Sequence, residues 1–287
     1  MLKRYQVLVI ACLFVLDFFL LVFIGRADSG ELKVHFFDVG QGDAIFIEAP
    51  GGKQVLVDGG PDNSVIQKLS EVMPFWDRSI DLVLLTHHDA DHLTGLIEVL
   101  KRYEVKGIIE TGIQCEKADC LAWRQTKEKE KALNIAAKLG QEISIGENAK
   151  ILILHPLEYL NGKEISKANN SSVVAKLIYG DHSLLLTGDI EEQVERKLVL
   201  SEINIDSDYL KVPHHGSKTS TGGQFLEGVS PLMAFISLGL DNRYGHPHDE
   251  VTGRLEKRNI RYYRTDIDGD IVLICEPKEP CQVKTQN

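Results

Sequence analysis

Four apolar segments of this sequence end at, or one residue before, an aspartate or histidine, and that recurrence limits the folds open to the chain. Residues 54–57 (QVLV) lead to Asp58-Gly59-Gly60, and 81–86 (DLVLLT) to His87-His88-Asp89-Ala90-Asp91-His92. Residues 183–187 (SLLLT) lead to Gly188-Asp189, and 209–212 (YLKV) to Pro213-His214-His215-Gly216-Ser217. Short apolar runs bounded by Gly and Pro read as strands, and DLVLLT has no polar face, as in a sheet covered on both sides. Carboxylates are costly to bury without a partner. One strand ending this way is an ordinary solvated turn. Four together are what a metal site gathers, because imidazole and carboxylate are the ligands of zinc, manganese and iron.

Further strands are predicted at 33–38, 44–48, 107–110, 141–145, 151–154, 173–179, 232–237, 261–265 and 271–275. Leu93, Leu96, Ile97 and Leu100 recur at helical spacing, so a helix is predicted over 93–103. Others follow over 191–200, 220–227 and 249–258. Residues 113–131 are charged and lead into a helix expected to run to about Leu139. Strands and helices interleave without a strict βαβ repeat, which predicts an α/β (α+β) domain of two mixed sheets with helices outside.

The N-terminus differs in character. Residues 5–24 (YQVLVIACLFVLDFFLLVFI) are apolar apart from Gln6 and Asp17. A helix of that length rises about 30 Å, enough to span a bilayer. Lys3 and Arg4 precede it, which keeps the N-terminus cytoplasmic and sets the rest outside. A cleaved signal peptide and a lipoprotein box at Val9-Ile10-Ala11-Cys12 are the other readings; length and flanks fit an uncleaved anchor best. The expected organisation is a membrane anchor or signal segment at 1–26, a linker at 27–31 and one domain over 32–287. Its expected location is the cell membrane, single-pass and extracytoplasmic, or secreted if the segment is cleaved.

Cys12 lies in that segment, and Cys115 with Cys120 and Cys275 with Cys281 form two close pairs. In an exported domain these suggest two local disulfides, with free thiols or a four-sulfur metal site as alternatives. Lys plus Arg number 32 against 42 Asp plus Glu, a net charge of −10. That balance argues against a broad basic nucleic-acid surface. It leaves phosphate esters open as substrates, since bound divalent ions reverse the local charge.

Several stretches together resemble a known family. They are Phe37-Asp38-Val39-Gly40-Gln41-Gly42-Asp43-Ala44, Val57-Asp58-Gly59-Gly60, the His87 to His92 stretch, Asn170-Ser171-Ser172-Val173-Val174, Leu186-Thr187-Gly188-Asp189, the segment from Lys211 to Ser217, and Asn242-Arg243-Tyr244-Gly245-His246-Pro247-His248. The sequence resembles the metallo-β-lactamase superfamily over residues 32–276, and within it the hydrolase domain of ComEC-type competence proteins, which take up DNA. That resemblance implies a four-layer αββα sandwich with two divalent ions, zinc or manganese, at one edge. By position, His87 and Asp89 would bind the first. Asp91, His92 and one of His214 or His215, with His215 preferred, would bind the second. Asp189 would bridge them, with Asp58, Asp43 and Asn170 in support.

Two departures from the family pattern bear on this. Asp89 stands where the H-x-H-x-D-H signature has its second histidine, which favours a harder ion such as manganese. The family's third histidine is not evident before the Leu186 strand; Asn170 or Ser171 stands there, and His182 reads as a turn residue. The first site is therefore expected to be partly filled.

The chemistry implied is hydrolysis. Paired ions lower the pKa of a water that attacks phosphorus or carbonyl carbon. Asp91 or Asp189 would accept its proton, and His214 and His246 would contact substrate or leaving group. The expected function is an anchored hydrolase of phosphodiester bonds, in nucleic acid or a phosphorylated envelope component. The alternatives are a lactam, lactone or thioester hydrolase, and a non-catalytic DNA-uptake module. No stable protein partner is expected.

Overall fold

A computed structural model of the chain describes residues 5–6, 8–15, 17 and 30–287. The first half comprises β1 (Leu32–Phe36), β2 (Ile45–Ala49), β3 (Lys53–Val57), α1 (Ser64–Val72), β4 (Ser79–Leu84), α2 (Ala90–Leu100), β5 (Glu104–Glu110), α3 (Ala118–Lys127) and β6 (Leu133–Ala136). The second comprises β7 (Glu142–Gly146), β8 (Ala149–His155), β9 (Val174–Tyr179), β10 (His182–Leu186), α4 (Glu192–Leu200), β11 (Tyr209–Lys211), α5 (Gly223–Val229), β12 (Met233–Ile236), α6 (Asp249–Lys257), β13 (Arg261–Arg264) and α7 (Thr265–Asp268). The chain then returns to the first sheet through β14 (Ile271–Cys275) and β15 (Gln282–Thr285).

The two sheets have strand orders β15-β14-β1-β2-β3-β4-β5-β6 and β13-β12-β11-β10-β9-β8-β7. Both follow one logic. On one side the strands pair antiparallel; on the other, β3 to β6 and β10 to β13 run parallel. Parallel strands deliver all their C-terminal ends to one edge, where loops can converge.

Side-chain alternation explains the apolar runs. β10 sends Leu184 and Leu186 into the core between the sheets and Leu185 to the outer layer; β2 does the same with Ile45, Ile47 and Phe46. Both faces are covered, so both sets are apolar. Between the sheets Phe36 stacks on Phe235 with ring centroids 4.4 Å apart. Outside, Leu69, Leu93, Leu96 and Trp123 pack helices on the first sheet, and Val194, Leu198, Phe225 and Leu255 pack helices on the second. The order of layers is αββα.

The helix expected to reach Leu139 stops at Lys127, and residues 133–136 form β6 instead. β5 offers an open edge there, and Ala137 N donates to Glu110 O at 2.8 Å. Leu133 is exposed, while Ile135 and Ala137, two residues apart on one face, pack into the inter-sheet core. α1 and β15 were not anticipated. α2 begins at Ala90, three residues before the predicted start at Leu93, so Asp91 and His92 lie in its first turn.

Both cysteine pairs form disulfides, Cys115–Cys120 and Cys275–Cys281, which excludes the free-thiol and four-sulfur readings. The anchor expected at 1–26 lies largely outside the described residues. Its described positions 5–6, 8–15 and 17 are helical and exposed. Among the described residues no helix is long and apolar enough to cross a membrane.

Candidate metal centre

The site is built where two turns close on α2. Gly95 of α2 lies so near the Asp58-Gly59-Gly60 turn that a Cβ there would meet Gly59 O at 1.8 Å. Gly42, at φ 141°, leaves room for the Asp91 carbonyl, which a Cβ would meet at 2.1 Å. Backbone hydrogen bonds close the junction: Asp43 N donates to Asp91 O, Gly59 N to His92 O and Gly95 N to Gly60 O. The Asp91–His92 turn is thereby locked against the ends of the first-sheet strands.

Hydrogen bonds then assign the histidine tautomers. Asp58, fully buried, accepts from Thr86 N at 2.8 Å and from the Thr86 hydroxyl at 2.7 Å. That hydroxyl has one proton, given to Asp58, so His87 Nδ1 at 3.0 Å must donate to Thr86 Oγ1. His92 Nδ1 donates to Asp58 Oδ2 at 2.8 Å, and His215 Nδ1 donates to Ser237 O at 2.8 Å. All three rings spend Nδ1–H on the protein. Each keeps a buried Nε2 that has no hydrogen-bond partner, as does Asp189 Oδ1. Ligating histidines are oriented in this way, with the second nitrogen fixed from behind.

The free atoms converge. His92 Nε2 and His215 Nε2 each lie 3.3 Å from Asp189 Oδ2, and His215 Nε2 lies 3.6 Å from Asp91 Oδ2. Ligand atoms of Asp91, His92, Asp189 and His215 all fall within 4.8 Å of one another. Beside them, His87 Nε2 lies 3.6 Å from Asp89 Oδ2. The His87 and His92 rings are 4.2 Å apart. Two nitrogens and two carboxylates form a donor set suited to zinc or manganese, and the orphaned buried nitrogens fit it. His87 with Asp89 is a thinner set, and Asp89 Oδ1 is already held by Lys117 Nζ at 2.7 Å.

Charge in the cluster is tightly balanced. Burial opposes ionisation of Asp189, but His215 and His92 hold it well below the usual carboxylate range. Burial would likewise push His215 down; Asp189 and Asp43 raise it to about 9. His87, by contrast, is pushed down to about 3 by burial and by the charge on His92. The Nε2 positions that attract protons are those open to a divalent cation, so the two compete.

Around the cluster the sequence expectations sort themselves. Asp43 is buried and ion-paired with Lys211 Nζ, and its Oδ1 lies 3.5 Å from His215 Nδ1. Lys211 is fully buried and also lies 3.8 Å from Asp189 Oδ1. Sequence reading assigned it no role; the signal was a lysine inside an otherwise apolar strand. His214 and His215 are adjacent and both left-handed, at φ 50° and 54°, yet only His215 joins the cluster. His214 Nε2 accepts from Asn169 Nδ2 at 3.2 Å.

Asn170 instead holds Glu191, with Nδ2 donating to Oε2 and Oδ1 accepting from Glu191 N, both at 3.1 Å. The side chain that reaches His214 is thus that of Asn169. His246 lies over the cluster, its ring 5.7 Å from His214 and 6.3 Å from His215. Burial and the neighbouring histidines push it down to about 4. Asn242 fixes its loop by accepting from His246 N at 2.9 Å and donating to His246 O at 2.7 Å.

His88, His155 and His182 stand apart from the cluster. His88 faces away from its neighbours, 3.2 Å from Glu110. His155 donates to Ser172 O at 2.8 Å behind the site. His182 opens β10 at the far end of the strand, against Glu279 O at 2.8 Å.

Comparison with known proteins agrees with this geometry. ComE operon protein 3 of Bacillus subtilis is 34% identical over 273 residues, covering 88% of this chain and 34% of that protein. Competence protein ComA of Neisseria gonorrhoeae is 31% identical over 246 residues, covering 84% of this chain and 32% of that one. The chain thus spans about a third of the length of these curated relatives. Among solved structures, the metallo-beta-lactamase fold protein YhfI of Bacillus subtilis superposes with a TM-score of 0.52 at 15% identity, covering 81% of this chain and 95% of that one. A family model described as the Metallo-beta-lactamase superfamily matches residues 37–231, and with the fold and the clustered ligands this makes the chain a member of the metallo-β-lactamase superfamily.

Proposed function

We propose that the chain is a metal-dependent phosphodiesterase, held at the outer face of a membrane by residues 1–26, whose substrate is nucleic acid or a phosphorylated envelope component. The observation that carries this reading is the convergence of three oriented imidazole nitrogens with Asp189 and Asp91. His87, Asp89 and Asp189 would hold one divalent ion, and Asp91, His92, Asp189 and His215 the other. When bound, such ions polarise a phosphoryl oxygen and make hydroxide available near neutral pH.

The chain's own residues supply the rest. Asp58 and Thr86 hold His92 and His87 in the tautomers that face the site. Asp91, whose side chain is 31% exposed, is the carboxylate that can pass a proton to water, whereas Asp189 is enclosed. His214 and His246 flank the opening. A neutral imidazole at His246 can donate an N–H to a phosphate oxygen without carrying charge at pH 7. A relative named as a competence protein favours a nucleic-acid phosphodiester over a lactam.

The test is metal content together with turnover. The purified chain is expected to bind two equivalents of zinc or manganese and to hydrolyse bis-p-nitrophenyl phosphate, with nitrocefin left intact, and Asp189→Ala is expected to abolish turnover. Nitrocefin cleavage without phosphodiester cleavage would replace this reading with a lactam hydrolase. A folded, metal-free, inactive chain would make it a binding module.

A further inference from the structure

The edge opposite the metal cluster carries an apolar relief of its own. β3, β4, β10 and β11 end at the cluster, so the N-terminal ends of the parallel strands lie at the other pole, roughly 15–20 Å away along strands of five or six residues such as β3, β4 and β10. Phe75 and Trp76, 81% and 53% exposed, immediately precede β4. Their rings meet edge to face at 4.8 Å. Leu133 opens β6, Leu232 precedes β12, and Leu200 ends α4 on its way back from the cluster; all three are exposed. Single exposed apolar residues are ordinary. Here an aromatic pair and three leucines share one pole, and tryptophan favours a boundary that is apolar on one side and wet on the other.

The direction of β1 sets where the chain enters the domain. β1 runs in the same sense as β3, because β2 is antiparallel to both. The chain therefore enters the domain at the pole of Phe75 and Trp76, where Tyr179 Oη donates to Gly30 O. In sequence, Gly30 is preceded by the apolar run of residues 5–24. Arg78, exposed beside the aromatic pair and 5.7 Å from the Tyr103 ring, supplies positive charge toward lipid headgroups.

We propose that this pole is a lipid-contacting face: Phe75 and Trp76 sit in the interface of the bilayer that holds the N-terminal segment. This rests on the anchoring reading above and sharpens it. The metal cluster then faces away from the membrane, toward polymers in water and not toward the headgroups of the same leaflet.

The experiment uses the full chain in phosphatidylcholine–phosphatidylglycerol vesicles, with acyl chains brominated or not. The protein has two tryptophans, and Trp123 is buried. Co-flotation with vesicles tests anchoring. Quenching of emission by brominated lipid, mostly lost in Trp76→Phe, tests the face. A chain that floats but whose Trp76 is unquenched overturns the proposal and leaves anchoring intact. If Trp76 is also shielded from acrylamide, protein covers the face, which overturns it equally. A chain that does not float overturns both readings.

Discussion

Nδ1 of His92 lies 2.8 Å from Oδ2 of Asp58, and that same oxygen accepts the Thr86 hydroxyl that in turn receives His87 Nδ1–H. One buried carboxylate thus sets the tautomer of two buried histidines of the cluster. Asp58→Asn keeps the shape but turns an acceptor into a mixed amide. Metal affinity is expected to fall about 10–100-fold, as for other groups that orient ligands from behind. Competition with a chromophoric chelator measures it, and unchanged affinity would remove Asp58 from this role.

Lys211 and Asp43 form a buried pair. Lys211→Met takes the ammonium away from the buried Asp43 carboxylate and is expected to cost about 3–5 kcal/mol of stability. The double variant with Asp43→Asn is expected to regain much of that loss. Urea denaturation of the single and double variants reads both, and a strictly additive pair would count against the coupling.

Gly95 decides whether α2 can seat against the Gly59 carbonyl. An ordinary helical glycine gains about 1 kcal/mol on replacement by alanine. Gly95→Ala is expected to do the reverse, losing about 1–3 kcal/mol by overpacking and lowering metal affinity with it. A stabilised variant with normal metal binding would show that the approach is less close.

Glu110 governs acid stability at the far side of the His88 loop. Burial opposes its ionisation, but His88 and Lys127 hold its carboxyl down to about 2 from 4.5. Folding therefore favours the ionised form. That contribution is complete above about pH 4.5 and is lost as pH falls from there to about 2, and it amounts to about 3 kcal/mol. Glu110→Gln is expected to be less stable at pH 7 and to show a flatter stability profile between pH 5 and 2. Parallel profiles for the two proteins would refute the assignment.

Chelation supplies a readout independent of substrate. Ions that bind the folded chain alone stabilise it by about 2.7 kcal/mol at a hundredfold excess over Kd. The melting temperature is expected to drop on treatment with a chelator and to recover with zinc or manganese. A melting temperature indifferent to both would argue against the cluster as a metal centre.

The strands that build the site were legible because each is short and apolar and, but for residues 81–86, followed closely by Gly or Pro, signals that need no tertiary context. Residues 133–136 were not legible as β6: Leu-Asn-Ile-Ala is compatible with a helix, and only pairing with the open edge of β5 decides the matter. α1 was missed for a related reason. It buries only Val65 and Leu69, a pattern too sparse to stand out.

By itself the sequence determined that aspartates and histidines stand at the ends of four buried strands, since alternation and turn residues are local properties. Tertiary structure decided which of them meet. His214 and His215 are equivalent as a dipeptide, yet two successive left-handed residues turn only His215 onto Asp189. Asn169 and Asn170 divide between His214 and Glu191 in the same way. Lys211 becomes a buried counter-charge only because β11 sets it beside Asp43 from the other sheet. Ligand geometry depends on directions and distances across the two sheets. No local pattern encodes these, because they are set by packing that joins residues more than a hundred positions apart.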